Sequence, residues 1–398
     1  MHETPTSGLP DGTPRRARLV LFANTDWYLY NFRTSLAHRA AQHLGADVWI
    51  ACPDGPYRVV MEAEGFQWIP VVMQRRSLNP LNDLATAWRL ASALRRIQPD
   101  LLHAFTLKSI FIGTMAAWLA DVPRVVNAIT GLGSLYSGRK VRYLTARWLL
   151  GHFFRIFLMQ RRVRIIFQNP EDQGQIEALT GNSAGLRLIA GSGVDTARFH
   201  PSEAMPESPV VLMASRLIRD KGIDILCQAA HLVENEVHGI QFQIAGEVDP
   251  GNPTSFTPEE IAELAKRYPM VRFLGHRSDM AELFRGASLA VLPAQAREGL
   301  PRSLIEACAS GLALVASDVE GIREVVIPGR NGLLVPPGNA RALASALLEL
   351  LKDPQRRSAM GRESRILALK HFDQEKILKA TLAVYAELGL CPAHEGAP

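Results

Sequence analysis

At 398 residues, 47% of them apolar and 21% charged, the chain has the makeup of a globular protein but exceeds the size at which one core stops growing, so two domains of similar size are expected. Its four cysteines are scattered, with no C-x-x-C pair and no close histidine, which argues against a zinc site or a disulfide framework and fits a reducing cytoplasm. The net charge of +5 is uneven, since residues 1–195 carry 22 Lys+Arg against 14 Asp+Glu, a balance of +8, and the remainder carries 22 against 25, a balance of −3.

Residues 1–16 read as a disordered tail, polar and rich in Pro and Gly at its start and lacking the apolar core of a signal peptide. No run of about 18 apolar residues follows anywhere, so no membrane span is expected. A short apolar run at 17–23 predicts a buried strand, and helical spacing over 32–44 predicts the helix after it. The alternation continues with strands at 47–51, 67–72, 101–104, 124–129, 165–167 and 186–189. Between them helices are predicted at 59–64, 81–97, 110–119, 141–160 and 170–179. Strands alternating with helices make a parallel sheet covered on both faces. Residues 191–208, with Pro201, Pro206 and few large apolar side chains, read as a crossing between domains. A second cycle places strands at 210–215, 242–246, 271–274, 289–292 and 313–316, with helices at 223–237, 258–266, 279–285 and 301–310. After a turn at 329–332, helices are predicted at 340–351, 355–369 and 374–388. The fold class is therefore α/β, with two doubly wound sheets and a cleft expected at the carboxyl ends of their strands.

One stretch concentrates the chemistry, Glu298-Gly299-Leu300-Pro301-Arg302-Ser303-Leu304-Ile305-Glu306, running on to Gly311. Pro301 suits a first helical position, where a missing N–H costs nothing. Glu306 is the one acidic residue in the apolar helix that follows, and a charge there needs a partner. If helical throughout, Glu298 and Glu306 would stand about 12 Å apart, too far to share a proton, so they suit different parts of one extended ligand. Free N–H groups at the helix start can face an anion. Arg216 and Lys221 lie after the first strand of the second domain and ahead of Gly222, where a guanidinium fork and an ammonium can hold a diphosphate. Taken alone, they could also be loop surface charges. No D-x-D occurs, so no metal clamp is expected.

These motifs resemble the retaining glycosyltransferases of family four, which have the GT-B fold of two Rossmann-like domains. The marks are Glu298 and Glu306 as E-x7-E, Gly299-Leu300-Pro301, Arg216 with Lys221 as R-x4-K, and Gly193-Val194-Asp195. A closer likeness, to bacterial transferases extending a sugar on a polyprenyl diphosphate, rests on residues 103–108, 129–133 and 24–33. The resemblance implies a domain 1–190 on the acceptor side, the crossing 191–208, and a nucleotide-sugar-binding domain 209–372. A helix 373–390 would pack back toward the first domain, and 391–398 would be a tail. Glu306 would hold the ribose, Glu298 would lie near the transferred sugar, and Gly299, Leu300, Pro301, Arg302 and Ser303, with Gly246, would face the donor. Arg216 and Lys221 would bind the diphosphate and stabilise it as a leaving group. On the acceptor side stand Asn24, His103, Lys108, Thr130 and Gly131. His103 can equally be a structural hydrogen-bonding group. Thr130 stands about where many relatives carry a histidine, which weakens any histidine-based mechanism.

The expected activity is transfer of a hexose or N-acetylhexosamine from a UDP-linked donor to a lipid-linked glycan in surface-polysaccharide assembly, with no cofactor and no metal. A soluble acceptor and a non-catalytic sugar-nucleotide-binding subunit are the alternatives. A glycosidase would explain two glutamates but not Arg216 and Lys221. Between Arg139 and Arg164 eight basic residues occur with no acidic one, interleaved with aromatic and aliphatic side chains. That stretch predicts contact with an anionic membrane surface, and so a peripheral place on the cytoplasmic face, although a packed helix with a solvated basic side would read the same way. No nucleic-acid recognition motif is present.

Overall fold

The computed structural model describes residues 15–73, 79–132, 151, 153–202, 208–237 and 239–391. Among these residues thirteen strands fall into two sheets, and their recorded strand pairings are parallel. The first sheet holds β1 (Arg18–Phe22), β2 (Asp47–Cys52), β3 (Gln67–Pro70), β4 (Leu101–Phe105), β5 (Val125–Ile129), β6 (Val163–Phe167) and β7 (Leu186–Leu188), in the order β3-β2-β1-β4-β5-β6-β7. The second holds β8 (Val210–Ala214), β9 (Gln241–Ala245), β10 (Val271–Gly275), β11 (Leu289–Leu292), β12 (Ala313–Ser317) and β13 (Gly332–Val335), in the order β10-β9-β8-β11-β12-β13. Central strands such as β4, β5 and β12 are buried along their whole length, as apolar runs covered on both faces must be. In both sheets the strand order reverses direction beside the first strand, between β1 and β4 and between β8 and β11. Loops leaving the carboxyl ends at such a switch point cannot cover one another, and ligands bind in the gap.

The helices begin where the sequence supplies caps. Thr25 accepts from the Tyr28 amide ahead of the helix Asp26–Leu44, and Gly45 in the left-handed region ends it. Asn79 with Pro80, Asn169 with Pro170 and Asp353 with Pro354 start helices in the same way, and Thr257 with Glu260 forms a reciprocal capping box. By density of contacts the chain forms two compact units, 1–126 together with 384–398, and 127–383. The apolar core of the second sheet draws on β8, β9, β11 and β12 and the helices packed on them.

Four local expectations need correction. Pro301 is not the first helical residue; with φ −72° and ψ 107° it is the extended cap, and the helix runs Arg302–Ala309. Its ring fixes φ but leaves ψ free to stay extended. Gly332, read as the end of a turn, instead opens the edge strand β13 over 332–335, which among the described residues pairs only with β12, and Asn331 orders the turn before it by accepting from the Ile327 amide. The helix ending near 369 closes in a π-helical turn, Ala368–Phe372. The helix expected over 141–160 falls mostly outside the described residues, and its far end, Phe154–Leu158, is a π-helical turn.

Candidate active site

The second sheet's switch point gathers the residues singled out by sequence. After β8 the chain passes through Arg216, makes a 3-10 turn at Arg219–Lys221, and enters the helix Ile223–Glu234 through Gly222 at φ 72°. A Cβ at Gly222 would stand 2.0 Å from the Pro293 carbonyl, so only glycine lets the loops after β8 and β11 touch. Gly246, at φ 151°, does the same for the ends of β9 and β8, where a Cβ would meet the Ser215 carbonyl at 1.8 Å.

Each charge is already paired. Lys221 Nζ donates to Glu298 Oε1 at 2.6 Å, both side chains being half-buried. Arg216 Nη1 donates to Asp249 Oδ2 at 2.6 Å, with the guanidinium exposed. Glu306 accepts from Arg302 Nε at 2.9 Å, one turn back on the same helix. Desolvation raises the Glu306 pKa and the Arg302 charge opposes that rise. Short, partly desolvated pairs of this kind hold their side chains in place until a ligand shares or displaces a partner.

Backbone, more than side chains, shapes the turn between Glu298 and Pro301. A Cβ on Gly299 would fall 2.1 Å from the Thr130 carbonyl, and one on Gly131 would meet the Gly299 Cα at 3.3 Å. From the other side, a Cβ on Gly321 would lie 2.1 Å from the Gly299 carbonyl, and the Glu298 amide donates to the Glu320 carbonyl at 3.1 Å. Three chain segments, 130–131, 298–299 and 320–321, therefore meet without side chains between them. Thr130 and Gly131, assigned by sequence to the acceptor, lie against Gly299. Leu300 packs on Gly191, Pro301 is buried, and Ser303 is half-buried in the first helical turn.

Sequence reasoning missed Arg297, which is 10% exposed. Its Nη2 reaches Asp172 Oδ1, itself 1% exposed, at 2.5 Å, and its Nε reaches Glu320 Oε2 at 2.5 Å. The adjacency of an arginine to Glu298 was the available signal. Asp249 was missed for want of any local pattern.

In the first unit, Asn24 follows β1 and is half-buried, and Lys108 pairs with Asp83 at 3.0 Å. His103 is 1% exposed, with Nδ1 2.7 Å from the Tyr385 hydroxyl, and burial holds its pKa well below the ordinary range. Arg33 and Tyr385 join it there, and neither was singled out as a site residue. Among the described residues no three His, Cys, Asp or Glu side chains converge as a metal would require.

Comparison with known proteins matches residues 195–366 to the family described as Glycosyl transferases group 1, and 18–169 to Glycosyl transferase 4-like. The chain is 26% identical over 381 residues to a Campylobacter jejuni N,N'-diacetylbacillosaminyl-diphospho-undecaprenol alpha-1,3-N-acetylgalactosaminyltransferase, covering 92% of this chain and 98% of the relative. It is also 26% identical over 292 residues to an Escherichia coli UDP-Gal:alpha-D-GlcNAc-diphosphoundecaprenol alpha-1,3-galactosyltransferase, covering 70% and 73%. In fold it is similar to Anabaena HepE in complex with UDP and glucose, with a TM-score of 0.75 at 19% identity, over 93% of this chain and 100% of that one.

Proposed function

Because the chain belongs to the glycosyltransferases with these two domains, we propose that it moves a hexose or N-acetylhexosamine from a UDP-linked donor to a hydroxyl of a glycan carried on polyprenyl diphosphate, with retention and without a metal. The observation that carries the donor half is the Lys221–Glu298 pair at the switch point, with Arg216 following the same strand. The acceptor half is supported by the two relatives named for diphospho-undecaprenol glycans.

In this reading the diphosphate sits against Arg216, Lys221 and the N–H groups that open the helix Arg302–Ala309. As the sugar–phosphate bond loosens, negative charge grows on the leaving oxygen and is met by these fixed cations and dipoles. Glu306 accepts from the ribose hydroxyls and Glu298 from the sugar. Gly299 turns backbone to the sugar, its Cβ position being closed off by the Thr130 carbonyl. The acceptor hydroxyl attacks from the face the diphosphate leaves, and a departing phosphate oxygen takes its proton. Work on the cytoplasmic face of a membrane would be peripheral; no helix among the described residues is long and apolar enough to cross one.

Thermal stabilisation by a panel of nucleotide sugars tests the donor, because a ligand bound only to the folded state raises stability by about 2.7 kcal/mol at a hundred times its dissociation constant. The stabilising UDP-sugar should then label a detergent-solubilised polyprenyl-diphosphate sugar in the presence of EDTA, giving the donor's anomer. An inverted product, or dependence on a divalent ion, defeats the finer reading; no response to any nucleotide sugar defeats the whole of it.

A further inference from the structure

Arg33 is a buried cation without a counter-charge among the described residues. It is 6% exposed, its Nε and Nη2 both donate to the Tyr28 hydroxyl at 3.3 and 2.8 Å, and its Cζ lies 4.4 Å from the Phe105 ring centroid. No carboxylate among the described residues pairs with it. Guanidinium groups removed from water are ordinarily matched by an anion, because the cost of stripping their hydration is otherwise unrecovered.

The neighbouring group is also incomplete. His103 lies against the same Phe105 ring, with centroids 4.0 Å apart and planes tilted by 33°, its Nδ1 is held by Tyr385, and its Nε2 is buried with no hydrogen-bond partner among the described residues. Two residues further on than Ala104, Thr106 has φ 71° and ψ 146°, a strained conformation for a residue with a side chain, and the helix Leu107–Leu119 starts there without a side-chain cap. Phe105 and Thr106 lie at the carboxyl end of β4, beside β1, at the first sheet's switch point, with His103 two residues further inside the strand and Arg33 reaching in from the helix Asp26–Leu44.

We propose that Arg33 and His103 form a seat for a phosphate group, which, on the reading under Proposed function, is the diphosphate of the lipid-linked acceptor. The phosphate supplies the counter-charge that Arg33 lacks, and His103 donates to it from Nε2. That donation fixes the tautomer, with the Tyr385 O–H donating to the bare Nδ1. Tyr385 is therefore a positioning residue and Arg33 the anchor.

The test is calorimetric titration of the full chain with farnesyl diphosphate, and separately with inorganic pyrophosphate, after saturation with UDP. The wild type should bind, R33M should bind at least about tenfold more weakly, and H103F should be weakened to a lesser degree. R33K, which keeps the charge, should recover part of the affinity. R33M should melt no lower than the wild type, because it removes an uncompensated buried charge, whereas loss of a merely structural arginine would lower the melting temperature. Stronger binding of farnesyl diphosphate than of pyrophosphate assigns the seat to a lipid-linked ligand; equal binding, lost in R33M, upholds a phosphate seat and assigns it to a free diphosphate. Equal affinity in R33M and wild type, or no binding by wild type, overturns the proposal. Failure of UDP itself to bind would instead count against the donor reading, and the farnesyl diphosphate series would still decide this one.

Discussion

Lys221 faces a choice between two anions. In this structure Glu298 holds its ammonium at 2.6 Å, and in the proposed reaction a diphosphate needs the same charge. A carboxylate that competes for the cation weakens ground-state binding while keeping Lys221 oriented. E298Q should therefore tighten UDP binding several-fold and lower turnover by about a hundredfold, the order expected when one transition-state contact is lost. Calorimetry with UDP and a radiolabel transfer assay check the two halves; weaker UDP binding in E298Q would show that Lys221 depends on Glu298 for its place. The motif residues themselves were legible, since E-x7-E and R-x4-K are local spacings. Their partners were not: Asp249 is 33 residues from Arg216, and Tyr385 is 282 from His103. Nothing in the local sequence links such pairs until the strands bring their ends together.

Elements were read well where burial is uniform and poorly where a single edge or turn decides. The apolar runs behind β4, β5 and β12 announce strands, whereas β13 pairs with one neighbour and begins at Gly332, so it carries too little pattern to separate from its turn. Arg297 shows how the finished elements bear on the site. It bridges Asp172, in the first turn of the helix Pro170–Thr180, to Glu320, whose own carbonyl receives the Glu298 amide. Desolvation, and next a hydrogen bond with Glu171, raise the Glu320 pKa, while Arg297 opposes the shift. Removing Arg297 leaves the Asp172 carboxylate buried with the Asn169 side-chain amide as its remaining partner among the described residues. R297M should therefore cost about 3–5 kcal/mol, the usual penalty for stranding one member of a buried pair. Urea unfolding measures it, and R297K should recover only part, because an ammonium lacks the fork that spans two carboxylates. Stability equal to wild type would mean that Asp172 finds another partner or a proton.

At the scale of the whole molecule, two doubly wound sheets were legible because short apolar runs and helical spacings alternate on either side of the crossing at 191–208, but the basic stretch between Arg139 and Arg164 is not decided by pattern. Its residues 139–150 and 152 lie outside the described part. In the described remainder Phe154 and Leu158 are buried, while Arg155, Ile156 and Arg161 are exposed, which is a basic surface with an apolar side chain standing in it. Arg155 also donates to the Leu179 carbonyl and Arg162 to Gln160, so not every charge is free to leave its neighbours. An arginine near an anionic leaflet contributes roughly 1 kcal/mol, and three together change the partition by on the order of a hundredfold at most. Neutralising Arg155, Arg161 and Arg162 to glutamine should therefore lower co-sedimentation with phosphatidylserine vesicles by tenfold or more, with UDP binding unchanged. Salt should mimic the substitution, because a Debye length of about 8 Å at physiological ionic strength shrinks as salt is added. If the triple variant sediments as the wild type does, the stretch is a packed helix with a solvated side, and the acceptor's lipid must be met elsewhere on the chain.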